Sequence, residues 1–283
     1  MKIKADKDIK RKERARNLLY NQALDQEKLG DFKKALEFYR MSLKIDANFF
    51  DSWLNAGAIY ARMGKHKKAI ICYQRALMQK PDKRAYYNLA SEYFKVDRFD
   101  EARQLLVRAT KLDPHFLSAH LLLGYCLGKL NENHKAEISI KNVLKIDPHN
   151  RPAITALALL YFHTGKLELC EKYLLGMLKL DPNDLVAKRL KANLKLRQDN
   201  LEDSIMAFKD LAKEDPKIKE FYYALQSWHN PGQKKNIETK KKKIAEKENK
   251  DAKDLLDLSL MSLFEGNADV ALDYLLEANA SLQ

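Results

Sequence analysis

Apolar residues recur along most of the chain at the spacing i, i+3, i+4 and i+7, which places them on one face of an α-helix. Trp53, Ala56 and Tyr60 are one example. Turn-forming residues interrupt this pattern regularly, and Gly, Asn and Asp tolerate the left-handed backbone at which a helix ends. The pattern therefore predicts pairs of short antiparallel helices. The predicted turn residues are Gly30, Gly64, Asp97, Asn131, Gly165, Asp199 and Gly266.

The helix pairs repeat with a period of about 34 residues. Pro81, Pro114, Pro148, Pro182 and Pro216 are separated by 33, 34, 34 and 34 residues, and proline disfavours the helical backbone for the residue before it. Small residues keep the same period, and small side chains let two helices approach closely. One pair cannot bury its own apolar face, so the pairs must stack. The small residues are Ala23, Gly57, Ala90, Gly124, Ala158, Ala192 and Ser259 in the first helices, and Ala35, Ala69, Ala102, Ala136, Cys170, Ser204 and Ala271 in the second.

This pattern resembles the tetratricopeptide repeat (TPR) family. The second repeat carries most of the family motif, at Trp53, Ala56, Gly57, Tyr60, Gly64, Ala69, Tyr73, Ala76 and Pro81. The resemblance implies an all-α fold, a right-handed superhelical solenoid of antiparallel helix–turn–helix repeats. It also implies a protein that binds other proteins in a concave groove lined by the first helices.

The repeat period divides the chain into four parts. Residues 1–15 are predicted to be a basic N-terminal segment or a capping helix, and residues 16–218 to be six repeats. Residues 219–251 are predicted to be a degenerate repeat with a Lys-rich, polar second half, and residues 252–283 a C-terminal repeat. The six repeats are placed at 16–49, 50–83, 83–116, 117–150, 151–184 and 185–218.

The sixth repeat departs from the pattern. Lys188, Lys191 and Lys195 occupy positions that are usually apolar, and the apolar residues of this helix lie one position away, at Val186, Leu190 and Leu194. We therefore expect this helix to be rotated or shifted in register.

Composition narrows the possible functions. With 9 Gly and 7 Pro in 283 residues, a Gly-rich phosphate loop and a long flexible linker are not expected. Cys72, Cys126 and Cys170 are far apart, which argues against a thiolate metal site and fits a reducing compartment. No catalytic motif is present. We expect no enzymatic activity, no metal and no cofactor, and a cytoplasmic location, since neither a secretory signal nor a membrane-spanning run is found.

The candidate binding site is a row of polar residues on the first helices. An Asn amide offers two donors and one acceptor, which suits the backbone of an extended peptide, and cations seven residues later suit an acidic one. From the fourth repeat the Asn position becomes apolar, at Leu122, Ala156 and Leu190, so the partner would carry an apolar anchor. The predicted contacts are Asn21, Asn55 and Asn88, then Lys28, Arg62, Lys95 and Lys129, with Tyr20 and Tyr87 beside them.

The alternative function is binding to nucleic acid or an anionic surface. The formal net charge of +13 is concentrated in residues 1–16, 185–199 and 233–253, and such clusters bind phosphates. The segments concerned are 2–16, 188–197 and 234–253, with Lys188, Lys191, Lys195, Lys240, Lys241, Lys242 and Lys243 as candidate contacts. A separate hypothesis concerns the last repeat, where Leu272 and Leu276 belong to an apolar excess that is typical of an interface. Self-association into a homo-oligomer is one way to bury these apolar residues.

Overall fold

The structure is a computed structural model. It describes residues 2–198, 200–214, 218–219, 222–223, 242–244, 246–247, 250–264, 270, 273–274 and 277–278. Every regular element within these residues is an α-helix, so the prediction of an all-α chain is confirmed. The chain divides into two compact units, Met1–Ala153 and Ile154–Gln283.

The first unit contains four helix pairs, and the second continues the same alternation of helix and tight turn. Each helix of the first unit packs on the helix before it. A fifth pair begins at the end of this unit. The first unit holds α1 (Lys2–Lys28), α2 (Phe32–Ile45), α3 (Phe50–Arg62), α4 (His66–Gln79), α5 (Lys83–Lys95), α6 (Phe99–Leu112), α7 (Leu117–Lys129) and α8 (Asn133–Ile146). They are followed by α9 (Arg151–His163), α10 (Leu167–Leu180), α11 (Leu185–Arg197), α12 (Leu201–Glu214) and α13 (Ala252–Phe264).

Tight turns within the pairs use a left-handed residue, as the sequence predicts. Asp97 and Asn131 have φ of 58° and 60°, which is accessible to these short polar side chains. The glycines at the other turns have φ between 68° and 78°. The predicted turn residues Asp199 and Gly266 lie outside the described residues. The left-handed turn residues are Gly30, Gly64, Asp97, Asn131 and Gly165.

The small residues lie where the two helices of a pair meet. Ala69 and Ala102 are fully buried, and in the second pair Gly57 of α3 lies against Tyr73 of α4. A Cβ built on Gly57 would lie 2.6 Å from Tyr73 Cε1. A side chain at Gly57 would therefore require the Tyr73 ring to move. The other fully buried members of the two predicted rows are Ala23, Ala35, Ala90, Ala136, Ala158, Cys170, Ala192 and Ser204.

Cation–aromatic contacts join the ends of several pairs. Arg16 forms an ion pair of 2.7 Å with Asp46, and its guanidinium lies 4.2 Å from the Phe49 ring centroid. In the second pair the ring lies at the start of the first helix and the cation follows the second helix. Lys80 Nζ lies 4.3 Å from the ring centroid of Phe50. Attraction between a cation and a ring quadrupole contributes about 0.5–1 kcal/mol at such exposed sites.

The first helix of the sixth repeat is neither rotated nor shifted in register, so that expectation is wrong. Ala187 and Ala192 of α11 are fully buried at the positions used in the other first helices, whereas Val186 is 50% exposed. Lys188 and Lys195 are accommodated because their ammonium groups pair with Glu214 and Glu171, at 2.9 and 3.2 Å. A lysine stem can pack beside apolar residues while its charged end reaches a carboxylate.

Residues from the predicted degenerate repeat contribute to the core of the second unit. Ile244, predicted to lie in its polar second half, is 3% exposed and belongs to one apolar cluster with Phe208 of α12 and Met261 of α13. Ile218 and Tyr222 join the same cluster. The rest of this segment, apart from a few short stretches, lies outside the described residues, so its boundaries stay predictions.

Two glycines of α7 provide a test of the close packing. A Cβ on Gly124 would collide with Ile140 Cγ1, whereas a Cβ on Gly128 meets no atom within 4 Å. Gly128→Ala should stabilise the chain by up to about 1 kcal/mol, because alanine is the better helix former. Gly124→Ala should instead destabilise it by about 1–3 kcal/mol through overpacking. Urea unfolding followed by circular dichroism measures both. Equal effects would contradict the packing described here.

Candidate functional site

The predicted contact residues of the first unit lie on four consecutive first helices. We call this set the first-helix face. Asn21, Asn55 and Asn88 occupy equivalent turns of α1, α3 and α5, 34 and 33 residues apart. The helix period places a cation two turns later on each helix. The first-helix face comprises Tyr20, Asn21 and Lys28 on α1, Asn55 and Arg62 on α3, Tyr87, Asn88 and Lys95 on α5, and Lys129 on α7.

The three asparagines differ in their surroundings. The Asn55 amide donates hydrogen bonds to the hydroxyl groups of Tyr20 and Tyr39, at 3.0 and 3.3 Å. Asn21 is exposed and Asn88 is half-buried, and neither side chain has a hydrogen-bond partner among the described residues. Asn55 is therefore engaged by its own fold, whereas the side-chain amides of Asn21 and Asn88 form no hydrogen bond within the described residues.

The two tyrosine hydroxyls remain protonated in this network. Burial raises the pKa of Tyr20, and burial also raises the pKa of Tyr39 far above its ordinary value. The Tyr39 hydroxyl donates a hydrogen bond of 3.2 Å to the Glu27 carboxylate. Asn55, Tyr39 and Glu27 thus form a chain of hydrogen bonds that joins α3 to α2 and α1. Such a chain rigidifies the place where the first two pairs meet.

Three of the four cations of the first-helix face already have a carboxylate partner within the chain. Arg62 pairs with Glu27 at 3.2 Å, and Lys95 pairs with Glu92 at 2.7 Å. Lys28 lies 3.5 Å from Asp25. Lys129 is exposed and has no ion-pair partner within the described part of the chain. The Lys28–Asp25 pair is exposed on both sides, and exposed ion pairs are worth only about 0–1 kcal/mol. The Lys95–Glu92 pair differs, because its carboxylate is buried.

Glu92 is a residue that the sequence pattern did not single out. Its side chain is 2% exposed, and its two oxygens accept from His66 Nδ1 and Lys95 Nζ, both at 2.7 Å. The equivalent positions in the neighbouring repeats hold the buried Ile59 and Cys126. A charged residue in a row of buried apolar ones was the available signal. Its burial requires both partners, since an unpaired buried carboxylate is costly.

Aromatic pairs flank the first-helix face. The Tyr20 ring lies 5.3 Å from that of Phe49, and the Tyr87 ring lies 5.2 Å from that of Phe116, between centroids. Each tyrosine is therefore held by a phenylalanine from the end of its own repeat. The predicted role of Tyr20 and Tyr87 as packing surfaces for a partner stays a prediction.

The basic residues of the alternative site are only partly described. Lys188 and Lys195 are engaged in the ion pairs given above, and Lys191 is half-buried. Lys242 and Lys243 are exposed. Lys240, Lys241, Leu272 and Leu276 lie outside the described residues. The stripe on α11 is thus largely neutralised by the chain's own carboxylates.

Other chemistry is limited in the described residues. Burial raises the pKa of the Cys72 thiol to about 11 and that of Cys126 to about 12, which keeps both thiols protonated at neutral pH. No group of three metal-ligating side chains is found in the described part. Nor does any helix there have the length and apolar character needed to cross a bilayer.

Comparison with known families identifies this architecture. Residues 17–49 and 135–194 match two tetratricopeptide repeat models, and residues 62–143 match "Anaphase-promoting complex, cyclosome, subunit 3". The photosystem I assembly protein Ycf3 of Prochlorococcus marinus is 31% identical over 124 residues, which are 38% of this chain and 72% of Ycf3. The chain belongs to the tetratricopeptide repeat family, as the sequence predicts.

More distant matches differ in extent. BBSome complex member BBS4 of Bos taurus is 27% identical over 170 residues, which cover 60% of this chain and 33% of that protein. The chain spans between 13% and 40% of the lengths of six further relatives. A tetratricopeptide repeat protein from Parabacteroides merdae has the same fold, with a TM-score of 0.67 at 16% identity, over 95% of this chain and 93% of that one.

Stability measurements should separate the three asparagines. Asn55→Ala should cost about 1–2 kcal/mol, because the hydroxyl groups of Tyr20 and Tyr39 lose their common donor. Asn21→Ala and Asn88→Ala should each change stability by less than about 0.5 kcal/mol, as surface substitutions do. Urea unfolding of the three variants measures this. A loss at Asn21 or Asn88 as large as that at Asn55 would contradict their assignment as unengaged.

Proposed function

We propose that the chain is a non-enzymatic scaffold that binds an extended, acidic segment of a protein partner along its first-helix face. No cofactor takes part. The observation that carries the proposal is the row of equivalent amides, in which Asn21 and Asn88 have no hydrogen-bond partner among the described residues. Since unengaged amides at a repeat spacing suit a peptide backbone, they define where the segment lies.

The charges of the face favour an acidic segment. Lys129 is unpaired within the described residues, and Arg62 and Lys28 are paired only at the surface. Carboxylates from a partner add to these interactions and speed its association. Beyond α5 the Asn position holds the half-buried Leu122, which suits an apolar side chain near one end of the segment.

Several relatives support a role in assembly. They include a BBSome complex member, an anaphase-promoting complex subunit and a photosystem I assembly protein. Another relative is named protein O-mannosyl-transferase, but the similar region covers only 19% of it. The lack of enzymatic activity, the cytoplasmic location and self-association through the last repeat stay predictions.

A peptide selection tests the proposed function. The full-length chain is immobilised and used to select from a random library of peptides of about 16 residues, a length suited to an extended groove. We expect acidic peptides with an apolar residue toward one end. Asn21→Ala together with Asn88→Ala should weaken their binding about tenfold to thirtyfold, because each lost hydrogen bond is worth about 1 kcal/mol. Fluorescence anisotropy measures the dissociation constants.

A matched pair of asparagines serves as the control. Asn48 and Asn183 are exposed and lie between helices, so Asn48→Ala with Asn183→Ala should leave binding unchanged. Selected peptides without acidic residues, or an unchanged affinity in the Asn21 and Asn88 variant, would refute the proposal. A single-stranded oligonucleotide tests the alternative function, since phosphate-driven binding falls by orders of magnitude between about 50 and 200 mM salt.

A further inference from the structure

A second concave surface of the first unit is lined mostly by residues of second helices. We call it the α6–α8 groove. It has a volume of about 610 Å³ and is lined by residues of α6, α7 and α8, together with the turn before α8. It is separate from the first-helix face, because none of the nine residues of that face lines it.

The floor and one edge of the groove are apolar. Leu123 and Leu127 of α7 form the buried floor, while Val107 of α6 and Ile138 of α8 stand beside it, 37% and 48% exposed. Two exposed β-branched residues next to a buried apolar floor make a continuous apolar strip. Apolar side chains surrounded by a polar rim match the anatomy of a protein–protein interface.

The rim of the groove carries excess positive charge. Arg103 and Lys135 both pair with Glu132, at 2.6 and 2.5 Å, and Arg103 also pairs with Asp100 at 2.8 Å. Arg108 and Lys111 are exposed and have no carboxylate partner among the described residues. The lining therefore holds four cations against one anion. An acidic ligand complements this charge, whereas a basic one is repelled.

His120 adds an unsatisfied acceptor to the groove. Its Nε2 lies 3.0 Å from the carbonyl oxygen of Pro114. In the second repeat the equivalent Trp53 donates its Nε1–H to the carbonyl of Ala47 at 2.8 Å. The carbonyl can only accept, so Nε2 carries the hydrogen in the neutral ring and Nδ1 is left as an acceptor. His120 Nδ1 is buried and has no partner in the described part of the chain.

We propose that the α6–α8 groove binds an acidic, amphipathic polypeptide segment of a protein partner. Its apolar side chain packs on Leu123 and Ile138, and its carboxylates pair with Arg108 and Lys111. Apolar contact supplies affinity and the cations select the charge. The chain then has two independent binding surfaces, each on a different set of helices.

Three labelled peptides test the chemistry of this groove on the full-length chain. The first is an amphipathic peptide of about 14 residues made of Glu and Leu, a length that spans about four helical turns. In the second, Lys replaces Glu, and in the third, Ser replaces Leu. We expect saturable binding of the Glu–Leu peptide, measured by fluorescence anisotropy, and at least about tenfold weaker binding of the other two.

Charge reversal locates the site. Arg108→Glu with Lys111→Glu should weaken binding of the Glu–Leu peptide by about tenfold or more. The matched control is Arg75→Glu with Lys145→Glu, because Arg75 and Lys145 are exposed residues at the corresponding positions of α4 and α8 and line no part of this groove. The control carries the same change in net charge and should retain binding. Circular dichroism confirms that both variants are folded.

Two further measurements test the apolar strip and His120. Ile138→Ser should weaken binding, whereas Ile146→Ser, at another exposed position of α8, should not. In a histidine-labelled chain, the nitrogen resonance of His120 Nδ1 should shift when the peptide binds.

Four outcomes would overturn the proposal. The first two are a lack of saturable binding of the Glu–Leu peptide and an equal affinity for the Glu–Ser peptide. The third is an equal loss of affinity in the two charge-reversed variants. The fourth is a loss of Glu–Leu peptide binding in the variant that lacks the Asn21 and Asn88 side chains. Equal binding of the Glu–Ser peptide would indicate a general polyanion site. Loss in the Asn21 and Asn88 variant would place the peptide on the first-helix face instead. Retention there separates this proposal from the proposed function.

Discussion

Close contact between the two helices of each pair is the constraint on which this structure depends. Gly57 and Gly124 leave no room for a Cβ against Tyr73 and Ile140, and alanine or another small residue takes the equivalent place in the other pairs. Protein interiors are packed as densely as molecular crystals. A larger side chain at these points would therefore separate the helices and move every residue that stacks on them.

This packing also decides which polar side chains are available for binding. Neighbouring pairs contact one another chiefly through the second helix of one pair and the first helix of the next, so some polar residues of the first helices face the preceding pair. Asn55 and Glu92 are both used in this way, the first by Tyr20 and Tyr39 and the second by His66 and Lys95. Buried polar groups are paired as a rule, because leaving them unpaired is costly. The residues left over, such as Asn21 and Lys129, are the ones that can meet a partner.

The first-helix face and the α6–α8 groove offer different recognition chemistry. The first-helix face presents amides and cations in a row, which suits a peptide backbone with acidic side chains. The α6–α8 groove presents an apolar strip with an uneven charge distribution, which suits an amphipathic segment. A repeat array that binds one partner on each of two separate surfaces brings those partners together, as a scaffold does.

The sequence by itself determined the architecture: the 34-residue period, the small residues, and the left-handed turns at Asp97 and Asn131 all follow from local rules. It also placed the asparagines in equivalent positions. Only the tertiary structure decided that Asn55 is engaged, that Lys188 and Lys195 are neutralised without rotation of α11, and that His120 keeps an unpaired nitrogen. The reason is physical. Helix period and turn chemistry act between residues close in the chain, whereas hydrogen bonds and ion pairs such as Asn55–Tyr20, 35 residues apart, depend on how the repeats stack.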